Sequence, residues 1–144
     1  EIPQNTGNIA RTCAATGSLL HLVGPMGFSI EDKWVKRAGL DYWHLVNVQR
    51  HANLEELQAV FPNSTFWYLS TKARQCYSDV AFGPDDFLVF GKETKGLPEE
   101  LLAAHQQYTI RVPMRDEARS LNLANTVALV LYEALRQQGY PGLH

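Results

Sequence analysis

The sequence predicts an α/β domain with a mainly parallel sheet flanked by helices. Short apolar runs alternate with amphipathic stretches along the chain, which is the pattern of strands joined by crossover helices. The last stretch carries apolar residues at helical spacing over about four turns. No repeat, low-complexity tract or linker interrupts the 144 residues, so we expect one domain spanning residues 1–144.

The alternation fixes the order of the predicted elements. Strands are predicted at residues 19–23, 42–48, 65–70, 86–90 and 108–112. Helices are predicted at residues 8–16, 31–38, 54–61, 98–104 and 122–138. The chain opens on the polar segment EIPQNTGN, without an apolar strand before it. We therefore expect that a first strand is missing before residue 1.

Two stripes run along the last predicted helix. The apolar stripe, which predicts a packing face, consists of Leu123, Val127, Val130, Leu131, Ala134 and Leu135. The polar stripe consists of Asn122, Asn125, Tyr132 and Arg136. A polar stripe of this kind is either a solvated face or one wall of a site.

The composition excludes several classes of protein. Cys13 and Cys76 lack CxxC spacing, so we expect reduced, buried thiols and no disulfide or zinc site. The five histidines show neither an HExxH pattern nor a close cysteine partner, so no metal is expected. No apolar run approaches the ~20 residues that span a bilayer. We expect a cytoplasmic protein with no membrane partner.

The charge balance gives no global sign of nucleic-acid binding. The formal net charge is -2 and the pI is about 6.2, so any nucleic-acid contact must be a local basic patch. The candidate cations are Lys33, Lys36, Arg37, Arg50, His51, Lys72, Arg74, Arg111, Arg115 and Arg119. Taken singly, each is more often a solvated surface charge.

The first segment that can carry chemistry is PQNTGNIAR, residues 3–11. Proline followed by Asn and Thr before an apolar periodic run is a helix-start signal, and capping is the favoured interpretation of this segment alone. Arg11 lies four residues after Gly7 and three after Asn8, so its side chain can lean over the glycine beside an amide. A guanidinium and amides near a helix N-terminus suit a phosphate or a ribose.

The second segment is FLVFGKETKGLP, residues 87–98, in which an apolar strand enters a loop with two glycines. Ligands of open α/β sheets bind beyond the carboxyl ends of strands, so this loop is placed to hold a cofactor. The segment matches neither GxxxxGK[ST] nor GxGxxG, which disfavours a nucleoside triphosphate and NAD. An ordinary strand-to-helix turn using Gly91 and Gly96 is the simpler alternative.

The third segment is SLNLAN, residues 120–125, between a strand end and the last helix. Ser120 or Asn122 alone is best explained as the helix N-cap. Three polar groups separated by apolar residues also suit a loop whose backbone holds a purine and a methionine tail.

Together the segments resemble the motifs of the SPOUT methyltransferases, most closely the tRNA (cytidine/uridine-2'-O)-methyltransferases of the TrmL type. EIPQNTGNIARTCAATG is similar to their first motif, and GPMGFSIEDKWVKRAGLDYW is similar to the segment that follows it. FGKETKGLP resembles the second motif, and RVPMRDEARSLNLANTVALVLYEALRQQGYPG resembles the third. The likeness covers essentially the whole chain.

The resemblance implies an α/β fold whose C-terminal part forms a deep trefoil knot, an exception to the usual avoidance of knots. It also implies that S-adenosyl-L-methionine binds in the knotted loops and leaves as S-adenosyl-L-homocysteine. The positions that match the family's donor-binding residues are Leu69, Gly91, Val112, Ser120 and Leu121.

The resemblance further implies a homodimer that acts on tRNA. Arg11 matches the first-motif arginine, which reaches the donor bound by the other subunit and is the first choice for a catalytic residue. The other positions implied around the reacting atoms are Asn5, Glu93, Ser120 and Asn122, and Tyr132 is added from the polar stripe. Without a separate RNA-binding domain, a short exposed loop such as the anticodon is the expected target.

Two alternatives stay open from the sequence. One is a SPOUT enzyme that methylates a ring nitrogen of a base, although such enzymes lack the early Asn-Thr-Gly-Asn and Arg11 arrangement. The other is a catalytically silent RNA-binding protein that keeps the knot, against which the presence of Arg11, Glu93 and Asn122 argues.

Overall fold

The computed structural model describes residues 4–24, 43–92 and 95–144. The chain divides into two compact units, Glu1–Pro62 and Asn63–His144, and each is described by itself. That residues 1–144 form one domain therefore stays a prediction.

The described part of the first unit, residues 4–24 and 43–62, contains two helices and two parallel strands. They are α1 (Gln4–Thr16), β1 (Leu20–Val23), β2 (Val48–His51) and α2 (Leu54–Val60), with a 3-10 turn at Trp43–Leu45. Leu20 lies opposite Val48, and Val23 lies opposite His51. Asn53 caps α2, since its side chain accepts a hydrogen bond from the Glu56 amide at 2.8 Å. An Asn cap is worth about 1 kcal/mol of helix stability.

Two predictions in the first unit were wrong in their bounds. The strand predicted at 42–48 begins only at Val48, because pairing with β1 starts where the Leu20 amide donates to the Asn47 carbonyl. The helix predicted at 8–16 begins at Gln4. Asn, Thr and Gly are weak helix formers, but each costs at most about 1 kcal/mol, and Gly7 is buried within α1. The helix predicted at 31–38 lies outside the described residues.

The second unit is built on a four-stranded parallel sheet. Its elements are β3 (Phe66–Leu69), β4 (Gln75–Cys76), β5 (Phe87–Val89), α3 (Glu99–Ala104), β6 (Thr109–Arg111) and α4 (Leu123–Gln137). The strand order is β4-β6-β3-β5, and every pair is parallel. The α/β class with a mainly parallel sheet is therefore confirmed. The trefoil knot stays a prediction.

The core of the second unit lies between the sheet and α4. Its buried side chains are Trp67, Leu69, Phe82, Ile110, Val112, Val130 and Ala134. Val130 and Ala134 belong to the predicted apolar stripe of α4, which is confirmed as a packing face. The polar stripe of Asn122, Asn125, Tyr132 and Arg136 is exposed.

The side chain of Gln137 links the C-terminal end of α4 by hydrogen bonds to the loop that follows the 3-10 turn at Tyr77–Asp79. Its side-chain carbonyl accepts from the Phe82 amide at 2.9 Å, and its amide group donates to the Val80 carbonyl at 2.9 Å. The same amide group donates to Glu133 at 2.8 Å. Hydrogen bonds from Arg136 and Gln137 lower the pKa of Glu133 to about 2, so this carboxylate stays ionised at neutral pH.

Both cysteines are free thiols. Cys13 is buried in α1, and burial raises the pKa of its thiol to about 11, which keeps it protonated and unreactive. Cys76 is only half-buried, contrary to the expectation of a buried thiol, because it lies in the short edge strand β4. None of the helices described is both long and apolar enough to cross a membrane.

Candidate functional site

A pocket of about 460 Å³ opens at the carboxyl edge of the sheet in the second unit. Leu69 ends β3, Gly91 follows β5, and Val112 follows β6, so three neighbouring strand ends contribute to it. This edge is where parallel α/β sheets bind their ligands. The lining residues are Leu69, Ser70, Thr71, Lys72, Phe90, Gly91, Lys92, Lys95, Gly96, Leu97, Glu99, Leu102, Val112, Met114, Arg119, Ser120, Leu121, Leu123 and Thr126.

The lining combines apolar and polar groups. Leu69 and Val112 are buried at the strand ends, and each is only 9% exposed. The hydroxyl side chains of Ser70, Thr71 and Ser120 add hydrogen-bonding groups to the same lining. Such a surface suits a ligand that has a flat apolar ring and a polar tail.

The loop after β5 closes tightly on itself. The Gly96 amide donates to the Lys92 carbonyl at 2.8 Å, and the same two residues form an antiparallel bridge. A Cβ at Gly91 would lie 2.1 Å from the Gly96 carbonyl carbon and 2.4 Å from the Leu97 nitrogen. Gly96 itself has a φ of +66°, which favours glycine. Gly91 and Gly96 are thus each required, for different reasons.

All five residues predicted to bind the methyl donor line this one pocket. They are Leu69, Gly91, Val112, Ser120 and Leu121, and they come from three separate segments of the chain, each at or after the end of a strand. The structure brings them together, while their role in binding stays a prediction.

The other predicted positions of the second unit fall in different places. Asn122 caps α4, accepting a hydrogen bond from the Asn125 amide at 3.1 Å, so of the two proposed caps it is Asn122 and not Ser120 that fulfils this role. Tyr132 lies on the exposed side of α4 and is 42% exposed. Neither Asn122 nor Tyr132 is among the described residues that line the pocket. Glu93 lies outside the described residues.

The predicted positions of the first unit lie on α1. Arg11 and Asn8 are exposed and three residues apart, which places them on one face of the helix. Asn5 is half-buried and Gly7 is buried. Since α1 already includes Asn5, the helix start lies before the Asn-Thr pair that the sequence suggested as the cap.

Sequence reasoning missed an ion pair in the pocket lining. The Lys72 ammonium donates to the Glu99 carboxylate at 2.8 Å, although the two residues lie 27 positions apart. This hydrogen bond lowers the pKa of Glu99. Ser70 and Thr71 were also missed, although the rule that ligands bind beyond strand ends points to the residues directly after β3.

The described residues contain no group of three or more His, Cys, Asp or Glu side chains arranged to hold a metal ion. They do contain a close histidine pair in the first unit. The Nδ1 of His21 and the Nε2 of His51 lie 2.9 Å apart, within hydrogen-bonding distance. Burial, and secondly the neighbouring His51, lower the pKa of His21 below its usual range.

The chain is similar to known RNA methyltransferases along its length. The SpoU rRNA methylase family matches residues 1–132. A tRNA (cytidine(34)-2'-O)-methyltransferase of Methylovorus glucosotrophus is 50% identical over 99% of this chain and 93% of its own length.

Solved structures agree with this relationship. One, whose subject is the 2-OH methylation of C/U34 on tRNA, superposes with a TM-score of 0.86 at 43% identity, over 96% of this chain and 91% of that one. The SpoU methyltransferase AviRb of Streptomyces viridochromogenes, in complex with AdoMet, has a TM-score of 0.78 at 25% identity, over 93% of this chain and 55% of that one. The resemblance drawn from the motifs is confirmed, and this chain belongs to the SpoU rRNA methylase family.

Proposed function

We propose that this chain transfers the methyl group of S-adenosylmethionine to the ribose 2'-hydroxyl of cytidine or uridine 34 of tRNA, the wobble position of the anticodon. The observation that carries the proposal is the pocket at the carboxyl edge of the sheet, which gathers all five predicted donor-binding residues. The position and the atom come from the names of relatives that match nearly the whole chain. The proposal implies a cytoplasmic location, which stays a prediction.

The pocket fits the methyl donor in size and chemistry. Its volume of about 460 Å³ lies within the range of roughly 300–1,000 Å³ that small-molecule sites occupy. Leu69, Phe90 and Val112 offer apolar contact for a purine, while Ser70 and Ser120 offer hydroxyl groups. The bound AdoMet of the AviRb structure supports the same class of donor.

The donor supplies an electrophilic methyl group on a sulfonium. The residues of this chain must then hold the ribose hydroxyl in line with that methyl and allow its proton to leave. We assign to Arg11 the binding of the ribose and its adjacent phosphate, and the stabilisation of negative charge that develops on the oxygen. A guanidinium keeps its proton at neutral pH, so Arg11 is not assigned the role of base.

The proposal includes a homodimer in which Arg11 of the partner subunit completes the site. Support comes from the exposed face of α4, where Leu129 and Tyr132 are 38% and 42% exposed. Leu129 and Tyr132 lie three residues apart and therefore on one face of the helix. Large apolar side chains exposed on one face mark protein interaction sites.

The dimer can be tested on that face. Leu129→Glu places a charge in the proposed interface, where burying it unpaired costs several kcal/mol, and light scattering should then report monomers that have lost activity. Val60→Glu is the matched control, since Val60 is 60% exposed on α2 and should stay dimeric. A wild-type protein that is monomeric and active would overturn the dimer.

The methylated atom decides between this function and its alternatives. The protein is incubated with labelled S-adenosylmethionine and bulk tRNA, and the tRNA is digested to nucleosides for mass spectrometry. Label in 2'-O-methylcytidine or 2'-O-methyluridine is the expected result. Label on a base would replace the proposal by base methylation, and donor binding without any transfer to RNA would favour the silent protein.

A further inference from the structure

The lining of the pocket differs in charge from the rest of the protein. The chain as a whole has a formal net charge of -2. The described lining residues include four cations, Lys72, Lys92, Lys95 and Arg119, and a single carboxylate, Glu99. A positive pocket in a weakly acidic protein concentrates the field where a ligand enters.

Lys72 does not contribute to the surplus of positive charge in the pocket lining. Its ammonium lies 2.8 Å from a Glu99 carboxylate oxygen, so the two charges balance each other. The surplus therefore resides on Lys92, Lys95 and Arg119, all of which are exposed. None of these three forms an ion pair with another residue that the structure describes.

Backbone geometry keeps the three cations at the same pocket. Lys92 and Lys95 belong to one closed turn, because the Gly96 amide donates to the Lys92 carbonyl at 2.8 Å. Arg119 comes from the loop before α4 and directly precedes Ser120, which lines the pocket too. Cations from two loops thus converge on one opening.

We propose that Lys92, Lys95 and Arg119 form an anion site that binds RNA backbone phosphates next to the ribose to be methylated. This inference rests on the proposed function. Ammonium and guanidinium groups are the usual partners of phosphate oxygens, and such contacts set the position of the nucleic acid. The methyl donor carries a sulfonium and an ammonium against one carboxylate, so its own net positive charge does not call for three further cations.

The anion site explains how a protein with a net negative charge can bind RNA. Together with Arg11, the three cations neutralise only about four phosphates, so the salt dependence of RNA binding should be modest, with a log–log slope of about -3 for four contacts to a single-stranded loop. The cations fix the strand at the pocket without reading its sequence.

The test uses charge-removing variants of the full chain. Lys92→Met, Lys95→Met and Arg119→Met are made singly and together, and tRNA binding is followed by fluorescence anisotropy over a salt series. Each single variant should flatten the slope by about 0.7, and the triple variant should reduce it to about -0.7, the contribution of the remaining Arg11 contact. Donor affinity by titration calorimetry should stay within twofold of wild type, and thermal unfolding checks the fold.

The matched control is the double variant Lys72→Met/Glu99→Gln. It removes a cation and an anion of the same lining, leaves the net charge unchanged, and should keep the wild-type salt slope. A triple variant with the wild-type slope would overturn the anion site. Loss of donor binding with intact tRNA binding would also overturn the anion site, since the cations would then bind the carboxylate of the donor. A wild-type protein that binds no tRNA would instead overturn the proposed function itself.

Discussion

Gly91 lies so close to Gly96 that a Cβ on Gly91 would sit 2.1 Å from the Gly96 carbonyl carbon. The atoms in the way are backbone atoms, which cannot rotate aside as a side chain would. Lys92 and Gly96 are already joined by a backbone hydrogen bond of 2.8 Å. The loop beside the pocket can therefore close only because residue 91 has no side chain.

Gly91→Ala should accordingly disrupt donor binding. Overpacking of this kind costs about 1–3 kcal/mol, and displacement of the loop should weaken S-adenosylmethionine binding by more than tenfold in titration calorimetry. Gly83→Ala is the control, because a Cβ there would meet only the Asp86 side chain, at 3.3 Å. Equal donor affinity in the two variants would show that this closure is not needed for binding.

Arg11→Ala should abolish methyl transfer and leave donor affinity nearly unchanged. Loss of one group that stabilises charge in the transition state lowers rates by about 10²–10³, whereas the described pocket lining does not include Arg11. Single-turnover transfer to tRNA and titration calorimetry separate the two effects. An equal loss of donor binding would refute this role.

A mixed dimer tests whether Arg11 acts across subunits. Neither Arg11→Ala nor Gly91→Ala alone should be active, but co-expressed chains form hybrids in which one site combines an intact pocket with an intact arginine. Recovery of activity is expected only if the arginine comes from the partner subunit. Inactive hybrids would place Arg11 in the site of its own chain.

Gln137→Ala should destabilise the fold more than Gln138→Ala does. Gln137 makes hydrogen bonds to the Phe82 amide and the Val80 carbonyl, and removing it leaves both partly buried groups without these partners, at about 1–3 kcal/mol. Gln138 only donates to Ala134 within its own helix, at 3.0 Å. Urea unfolding measures the stability of both variants, and equal midpoints would contradict the anchoring role of Gln137.

Lowering the pH should reduce the free energy of unfolding through protonation of His21. Its pKa is lowered in the folded state, first by burial and then by His51, so the unfolded chain takes up a proton first. Stability is complete above the ordinary histidine pKa of about 6.5 and falls as the pH drops below it. Urea unfolding from pH 7.5 to 5.5 should show a smaller loss of stability for His21→Gln than for wild type, and an equal loss in the two proteins would contradict this role of His21.

Buried, strongly apolar elements could be predicted from the sequence. Strand β3, Phe66–Leu69, is buried at every position and was predicted within one residue at each end. The two-residue strand β4, Gln75–Cys76, was not predicted, because it has no apolar periodicity and forms only by pairing with β6. Short edge strands of this kind depend on tertiary context.

The residues of the candidate site could also be predicted only in part. Gly91 and Ser120 stand in loops at predicted strand ends, and the family resemblance assigned them to the donor. The Lys72–Glu99 pair joins the loop after β3 to the first residue of α3, 27 residues away, and no local sequence pattern predicts such a contact. Arg119 was a candidate cation from the sequence, but only the structure shows that Lys92, Lys95 and Arg119 line the same pocket.

The position of the transferred methyl group tests the proposed function most directly. Bulk tRNA is methylated in vitro, cut with a base-specific ribonuclease, and the labelled fragments are sequenced by mass spectrometry. The expected result is one labelled fragment, from the anticodon loop, with the methyl on the ribose of cytidine or uridine 34. A methyl on a base, or on a ribose elsewhere in the tRNA, would contradict it.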